Sequence, residues 1–275
     1  MPLSVGIHPG VRRAEYEAIE AINISTLEHF DRTDLHGQWE MLHKKPPSRA
    51  MEVGTHFHMN LLEPGRFERE YVIPPKVDRR FKEQKMEWER FEAENVGKSY
   101  VDAEAHVQII GMRDAVWARP IASALLSGRG LSEVAIVWDD PETGIRCKGL
   151  LDRLSEYAGW TWITDLKSCR DASREGFSLS CKKLRYGARA AYYFDGCNVL
   201  APRDRRFAWI AVENTAPFCV AEYEADESAL QRGRERYRRW LRRYWNARET
   251  GVWQGYPDEI QVMTSSETEW RSRDD

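Results

Sequence analysis

The stretch SEVAIVWDDPETGIRCKGLLDRLSEYAGWTWITDLKS, residues 132–168, decides the fold class. Its first segment, 132–140, is β-branched and aromatic, and Pro141-Glu142-Thr143-Gly144 turns the chain. Residues 145–157 return as a second strand, and Ala158-Gly159 turn again into 160–168. Strand-forming runs separated by turn residues predict a three-stranded antiparallel meander. Downstream, helical sequence is expected over about 172–196, strands over 205–214 and 218–225, and a long helix over about 226–249. Upstream, INISTLEHFDR (22–32) carries a capping-box pattern in Ser25 and Glu28. SRAMEVGTHFHMNLL (48–62) reads as a helix closed by Glu63-Pro64-Gly65, and 66–78 reads as extended with a break at Pro74-Pro75. Residues 79–97 predict an exposed charged helix, and 102–126 a helical stretch ended by Gly128-Arg129-Gly130. The class is therefore α/β (α+β), a mixed central sheet flanked by helices with a helical N-terminal region. One domain is expected over 1–275: mainly helical to 130, a core over 131–260, and a tail over 261–275.

With 42% hydrophobic and 31% charged residues, the chain has the balance of a soluble globular protein with a real core. It lacks any apolar run near the roughly 20 residues that span a bilayer, and its first residues do not resemble a secretory signal. The expectation is a cytoplasmic protein with no membrane partner. Five scattered cysteines without a CxxC argue against a disulfide framework or a cysteine-held zinc, and predict buried free thiols. The net charge of −3 excludes a protein that simply coats nucleic acid, so any positive charge for DNA must be concentrated locally.

The meander also carries the chemistry. Asp165 and Lys167 are two apart on a strand and share a face. Asp152 ends the neighbouring strand and Glu133 opens the one before it. Carboxylates beside one lysine suit a hard cation and an attacking water; Mg2+ takes one or two carboxylates and completes its sphere with water and substrate phosphate. A lone Asp-x-Lys is a weak signal, but the hairpin around it and Asp152 strengthen it. On the helix 48–62, Met51, Thr55, His58 and Leu62 share one face. His56 lies about 200° from His58, so the two cannot form one site. Taken alone, His58 reads as a core histidine bonded to a carbonyl. RGRERYRRWLRRYW (232–245) reads as a solvated charged face, with DNA phosphate contact as the other reading.

In order along the chain, VGTHFHMNLLEPGRF (53–67), SEVAIVWDDPETGIRCKGLLDRL (132–154), ITDLKSCRDAS (163–173), VENTAPFCVAEYEAD (212–226) and GVWQGY (251–256) resemble the PD-(D/E)xK nuclease superfamily. Within it the likeness is to the phage and prophage RecE type of exodeoxyribonuclease (exonuclease VIII). The scattered cysteines do not resemble the clusters of iron–sulfur relatives. The resemblance implies Mg2+, with Mn2+ able to substitute, held by His58, Asp152, Asp165 and the Leu166 carbonyl, with Glu133 at or behind these ligands. Lys167 would orient the attacking water and stabilise developing charge. It implies 5′→3′ digestion of linear double-stranded DNA in phage-type recombination, a ring-shaped homo-oligomer (trimer or tetramer) and a single-strand annealing partner in a bacterial host. In YGARAAYYFDG (186–196), Tyr186 and Tyr193 match the family and are assigned to DNA, but Gly187 and Arg189 replace an expected histidine and glutamine. Arg189 then reads either as a phosphate contact or as an arginine paired with Asp195.

Overall fold

The computed structural model describes residues 3–43 and 45–263. Its elements in chain order are β1 (Gly6–Pro9), α1 (Arg13–Glu17), α2 (Ile24–Leu27), α3 (Asp34–Leu42), α4 (Arg49–Leu62), α5 (Pro64–Glu70), β2 (Tyr71–Val72), α6 (Lys82–Glu94), β3 (Ser99–Tyr100), α7 (Ala103–Trp117) and α8 (Pro120–Ser127), then β4 (Gly130–Asp139), β5 (Arg146–Tyr157), β6 (Trp160–Cys169), α9 (Arg174–Lys183), α10 (Tyr186–Leu200), β7 (Arg205–Glu213), β8 (Val220–Glu224) and α11 (Glu227–Thr250). The central sheet runs β1-β4-β5-β6-β7-β8. All its pairs are antiparallel except β6 with β7. A parallel pair requires a crossover, which α9 and α10 supply. The class is thus the expected mixed sheet between helices, with the meander β4-β5-β6 at its centre.

Alternation along the strands divides the core. Ile136, Trp138, Leu151, Ile163 and Trp209 pack beneath α10 and α11. Trp162, Leu166, Ile210 and Val212 pack against Val53, Phe57 and Leu61 of α4 and Ile109 and Met112 of α7. On α4 the buried residues recur at i, i+4 and i+8, which leaves Met51, Thr55 and His58 on the flank facing a cleft.

Several local expectations are corrected. Ser25 does not cap α2: Asn23 does, accepting from the Thr26 N–H at 2.8 Å. Glu28 is thereby released from a capping box. Residues 66–70 are helical rather than extended, because Pro64 opens α5 instead of closing the chain; proline lacks an N–H that a first helical turn would leave unpaired anyway. Pro120 likewise splits the expected helix 102–126 into α7 and α8. Strand β1 escapes the sequence reading altogether. It is four residues ending in proline, and it exists only because β4 offers an edge. Of the free cysteines, Cys147, Cys169 and Cys197 are buried as expected, but Cys219 is exposed.

The arginines of α11 form a charged face on which Arg232, Arg236, Arg239 and Arg242 are exposed, but most of them are paired. Arg234 pairs with Asp195, Arg238 with Asp140 and Glu142, Arg242 with Glu142, Arg239 with Asp31 and Arg243 with Asp34. Most of that charge therefore ties the helix to the rest of its own chain and is not free for DNA. Among the described residues no helix is long and apolar enough to cross a membrane. The expected tail over 261–275 lies outside the described residues from 264 onward.

Helices α10 and α11 approach closely where Gly187 faces Gly233. A Cβ on Gly233 would stand 2.1 Å from the Gly187 carbonyl oxygen, so the two backbones touch there. Gly233→Ala is expected to cost about 1–3 kcal/mol by overpacking. Gly187→Ala, whose Cβ would meet only the Ala229 carbonyl oxygen at 3.7 Å, is expected to stay within about 1 kcal/mol of wild type. Urea unfolding of both variants checks this, and equal stabilities would refute the close crossing.

Candidate active site

The site lies at a fork in the sheet. The β5–β6 ladder runs from Tyr157 and Trp160 to Arg153 and Thr164. Past that pair β6 continues against β7, with Asp165 opposite Trp209 and Lys167 opposite Ala211. The next rung would pair Asp152 with Asp165. In its place the Asp152 side chain takes over a backbone role: Oδ2 accepts from the Leu166 N–H at 2.7 Å. On the other side of β5, the β4 register passes from Ser132–Arg153 to Val134–Leu151, so Glu133 stands opposite Asp152. Glu133, Asp152 and Asp165 therefore form one row across three adjacent strands.

Glu133 has φ 48, left-handed backbone in a residue with a Cβ, which costs roughly 1–2 kcal/mol. Opposite it the strict alternation of β5 slips, because Leu151 and Leu154, three apart, both pack into the core beneath α10. Strain held at such a point is commonly tied to function. Here its effect is to carry Glu133 beside Asp152 and His58.

Helix α4 supplies the fourth group. His58 Nδ1 lies 3.3 Å from Asp152 Oδ1, so its partner is a carboxylate and not the backbone carbonyl expected of a core histidine. Donor atoms of His58, Glu133 and Asp152 lie within 4.8 Å of one another, close enough to hold a metal ion. An octahedral Mg2+ with bonds of about 2.0–2.1 Å sets its donors about 3 Å apart in cis and about 4.2 Å in trans, so the residues fit a hard divalent cation after small side-chain movement. His56, by contrast, packs its ring against Tyr71 at 4.4 Å, away from this set.

Asp165 stands differently. It contacts Lys167 Nζ in an ion pair whose side chains are only 8% and 12% exposed. The lysine also donates to the Leu166 carbonyl at 3.1 Å and lies 5.1 Å from the centre of the Tyr186 ring. Two subsets are thus visible: His58, Glu133 and Asp152 in one, Asp165, Lys167 and the Leu166 carbonyl in the other, joined by the bond from Leu166 to Asp152.

Electrostatics follow from this crowding. Burial and the Asp152 charge push the Glu133 carboxyl up to about 7. Burial would also raise Asp152, but His58, Lys167 and the Leu166 N–H outweigh it and hold Asp152 below the ordinary range. Burial opposes the His58 imidazolium, yet Asp152 overrides that and raises it. Asp165 is raised, chiefly by burial and further by Asp152, against the pull of Lys167. Carboxylates that resist ionising together are what a bound dication would relieve.

The groups face a cleft of about 530 Å³ shared with Ser25, Arg66, Arg189 and Tyr193. A second groove of about 790 Å³ adjoins it through Met51, Gly54, His58, Lys167 and Arg189, with Tyr186 in its wall. Tyr186 and Tyr193 are both buried, each 8% exposed. Arg189 is not paired with Asp195, which accepts from Arg234 and Tyr237 instead; its carboxylate partner is Glu28 at 3.2 Å. Sequence reading singled out every residue of the two subsets. It missed the rim groups Ser25, Glu28 and Arg66 as neighbours of the site, since nothing local marks a contact made by tertiary packing.

A sequence model of the family described as "PDDEXK-like domain of unknown function (DUF3799)" matches residues 23–266. Among solved structures, a protein from Eubacterium rectale provisionally described as an exonuclease superposes with a TM-score of 0.59 at 13% identity, over 85% of this chain and 83% of that one. At that identity the likeness speaks for the fold alone. SSO0001 reaches a TM-score of 0.29 at 15% identity, over 68% of this chain and 86% of that one. VC1899 from Vibrio cholerae reaches 0.23 at 11%, over 84% and 57%. Neither of these two bears on the fold. No curated protein matches the chain.

Proposed function

Because the chain belongs to the PDDEXK-like family that the DUF3799 model describes, we propose that it is a divalent-metal-dependent nuclease that hydrolyses double-stranded DNA from an end. One observation carries this reading: residues from α4, β4, β5 and β6 converge so that His58, Glu133, Asp152, Asp165 and Lys167 line a single cleft. The finer reading, 5′→3′ exodeoxyribonuclease action in phage-type recombination beside an annealing protein, rests on the motif likeness to the RecE type. The ring-shaped homo-oligomer rests on it too.

In this reading Asp152, His58 and Glu133 hold the ion, and Asp165 and the Leu166 carbonyl complete the side next to Lys167. Mg2+, or Mn2+ in its place, would supply Lewis acidity at the phosphoryl oxygen and favour ionisation of water. The remaining steps belong to the protein. Lys167 Nζ, fixed between Asp165 and the Leu166 carbonyl, orients the water and faces the charge that develops on the phosphoryl oxygens. Arg189 holds a flanking phosphate and keeps the strand in line for attack. Tyr186 and Tyr193 are buried beside the cleft, where their rings support Lys167 and the floor of the strand path.

The test is an end-labelled linear duplex beside closed circular DNA. With Mg2+, release of label from the linear substrate is expected while the circle stays intact, and EDTA abolishes the activity. Cleavage of the circle would make the protein an endonuclease of the same fold. Undiminished cutting in EDTA would remove the metal from the mechanism.

A further inference from the structure

Arg189 is more than half sequestered, and the way it is held is unusual for an arginine paired with a carboxylate. Among the described residues all its side-chain hydrogen bonds leave from one nitrogen: Nη2 donates to Glu28 Oε1 at 3.2 Å, Glu28 Oε2 at 3.4 Å and Ser25 Oγ at 3.4 Å. Charge-assisted bonds of this type are normally about 2.7–2.9 Å, so the contact is long and spread over three acceptors. Nε is buried and has no hydrogen-bond partner among the described residues. A guanidinium has five N–H donors in a fixed fork, and the Nε edge is one that can take an anion bidentately. Here its Nη2 end meets Glu28 and Ser25, while Nε is left unmatched among the described residues.

Arg189 lines both the cleft that holds His58, Asp152 and Asp165 and the adjoining groove beside Ser168 and Tyr186. It stands at the waist between them. Glu28, in turn, is fixed in place: it opens a 3₁₀ turn, Glu28–Asp31, which follows the fully buried Leu27 and contains the fully buried Phe30. The turn cannot follow the arginine, but the arginine side chain can leave the turn.

We propose that Glu28 is a latch on Arg189. It neutralises and parks the guanidinium at the junction of the two grooves, and a DNA phosphate displaces it when substrate enters. This rests on the reading of the protein as a DNA nuclease and assigns within it a positioning residue, Glu28, that acts through Arg189. The carboxylate keeps the arginine from Asp165, which lines the same cleft, when no DNA is present. Phosphate replaces it at the cost of one weak ion pair.

The experiment is binding of a fluorescent linear duplex in Ca2+, as a function of salt, with KM and kcat measured in Mg2+. Glu28→Gln is expected to tighten binding about three- to ten-fold, the equivalent of releasing one partly exposed ion pair. KM should fall by a similar factor, more than kcat changes. Arg189→Ala should weaken binding and reduce the salt slope by about 0.9, the loss of one phosphate contact. The decisive variant combines them: with Arg189 absent, Glu28→Gln should have no effect. Tightening that persists without Arg189 would mean that Glu28 merely repels DNA, and unchanged or weaker binding in Glu28→Gln would mean a structural ion pair; either overturns the latch. Should Glu28→Gln melt well below wild type, Glu28→Asp, which shortens the reach by one methylene, must shift binding in the same direction. Wild-type protein that neither binds nor cuts DNA would remove the nuclease reading itself, whereas wild type that cuts without the Glu28 dependence removes the latch alone.

Discussion

Lys167→Ala is expected to lower the rate of DNA cleavage by about 10²–10³, the usual cost of deleting one preorganised charged group at a reacting centre. The geometry makes it a demanding test. Lys167 Nζ is held by Asp165 and by the Leu166 carbonyl above the Tyr186 ring, which fixes its position at the cleft. Removing it also leaves the buried Asp165 carboxylate uncompensated, which can cost about 3–5 kcal/mol of stability. Two companions separate chemistry from folding. Asp165→Asn combined with Lys167→Ala should recover stability without recovering turnover. Lys167→Arg should keep the charge and the fold but stay slow, because a planar fork does not reproduce a compact ammonium at this position. Steady-state cleavage and thermal unfolding of the three variants check the set. Wild-type turnover in Lys167→Ala would place the chemistry elsewhere.

The second large effect is expected at Asp152. Its two oxygens serve different partners: Oδ1 faces His58 Nδ1 at 3.3 Å and Oδ2 accepts from the Leu166 N–H at 2.7 Å. Asparagine can retain the second contact but brings no charge to the first. Asp152→Asn should therefore fold, yet lose cleavage by about 10²–10³ and metal affinity by at least about 10–100-fold, the range seen when even outlying partners of a metal ligand are removed. A thermal-shift titration reads the affinity directly, since an ion bound only by the native state raises the melting temperature in proportion to the logarithm of its concentration. Wild-type protein should stabilise with Mn2+ and Asp152→Asn should not. Equal shifts in both would exclude Asp152 from the ion.

The central meander was legible because each strand is a run of β-formers bounded by turn residues, and because Asp165 and Lys167 stand two apart on one of them. The same local signals gave α4, α6 and α11. They misled where one residue has two uses. Pro64 reads as a stop and is the first residue of α5. Ser25 and Glu28 read as a capping box, while Asn23 caps the helix and Glu28 meets Arg189, 161 positions away. The arginines of α11 carry no mark in sequence of the carboxylates that hold them. Nor does Glu133 announce a left-handed backbone: a glycine or asparagine would have, but glutamate there reads as an ordinary strand residue. The fork at Asp152 follows from that kink and from the end of the β5–β6 ladder at Arg153 and Thr164, and both depend on tertiary pairing. His58 shows the converse. Its helical face was readable, but only the cleft distinguishes a carboxylate partner from a carbonyl.

Anomalous scattering from Mn2+ in crystals of the protein tests the central claim most directly. The account predicts an ion bonded to a His58 ring nitrogen and to Asp152, with Glu133 alongside and Lys167 close by but unbound. An ion held elsewhere, with His58 still engaged only by Asp152, would contradict it.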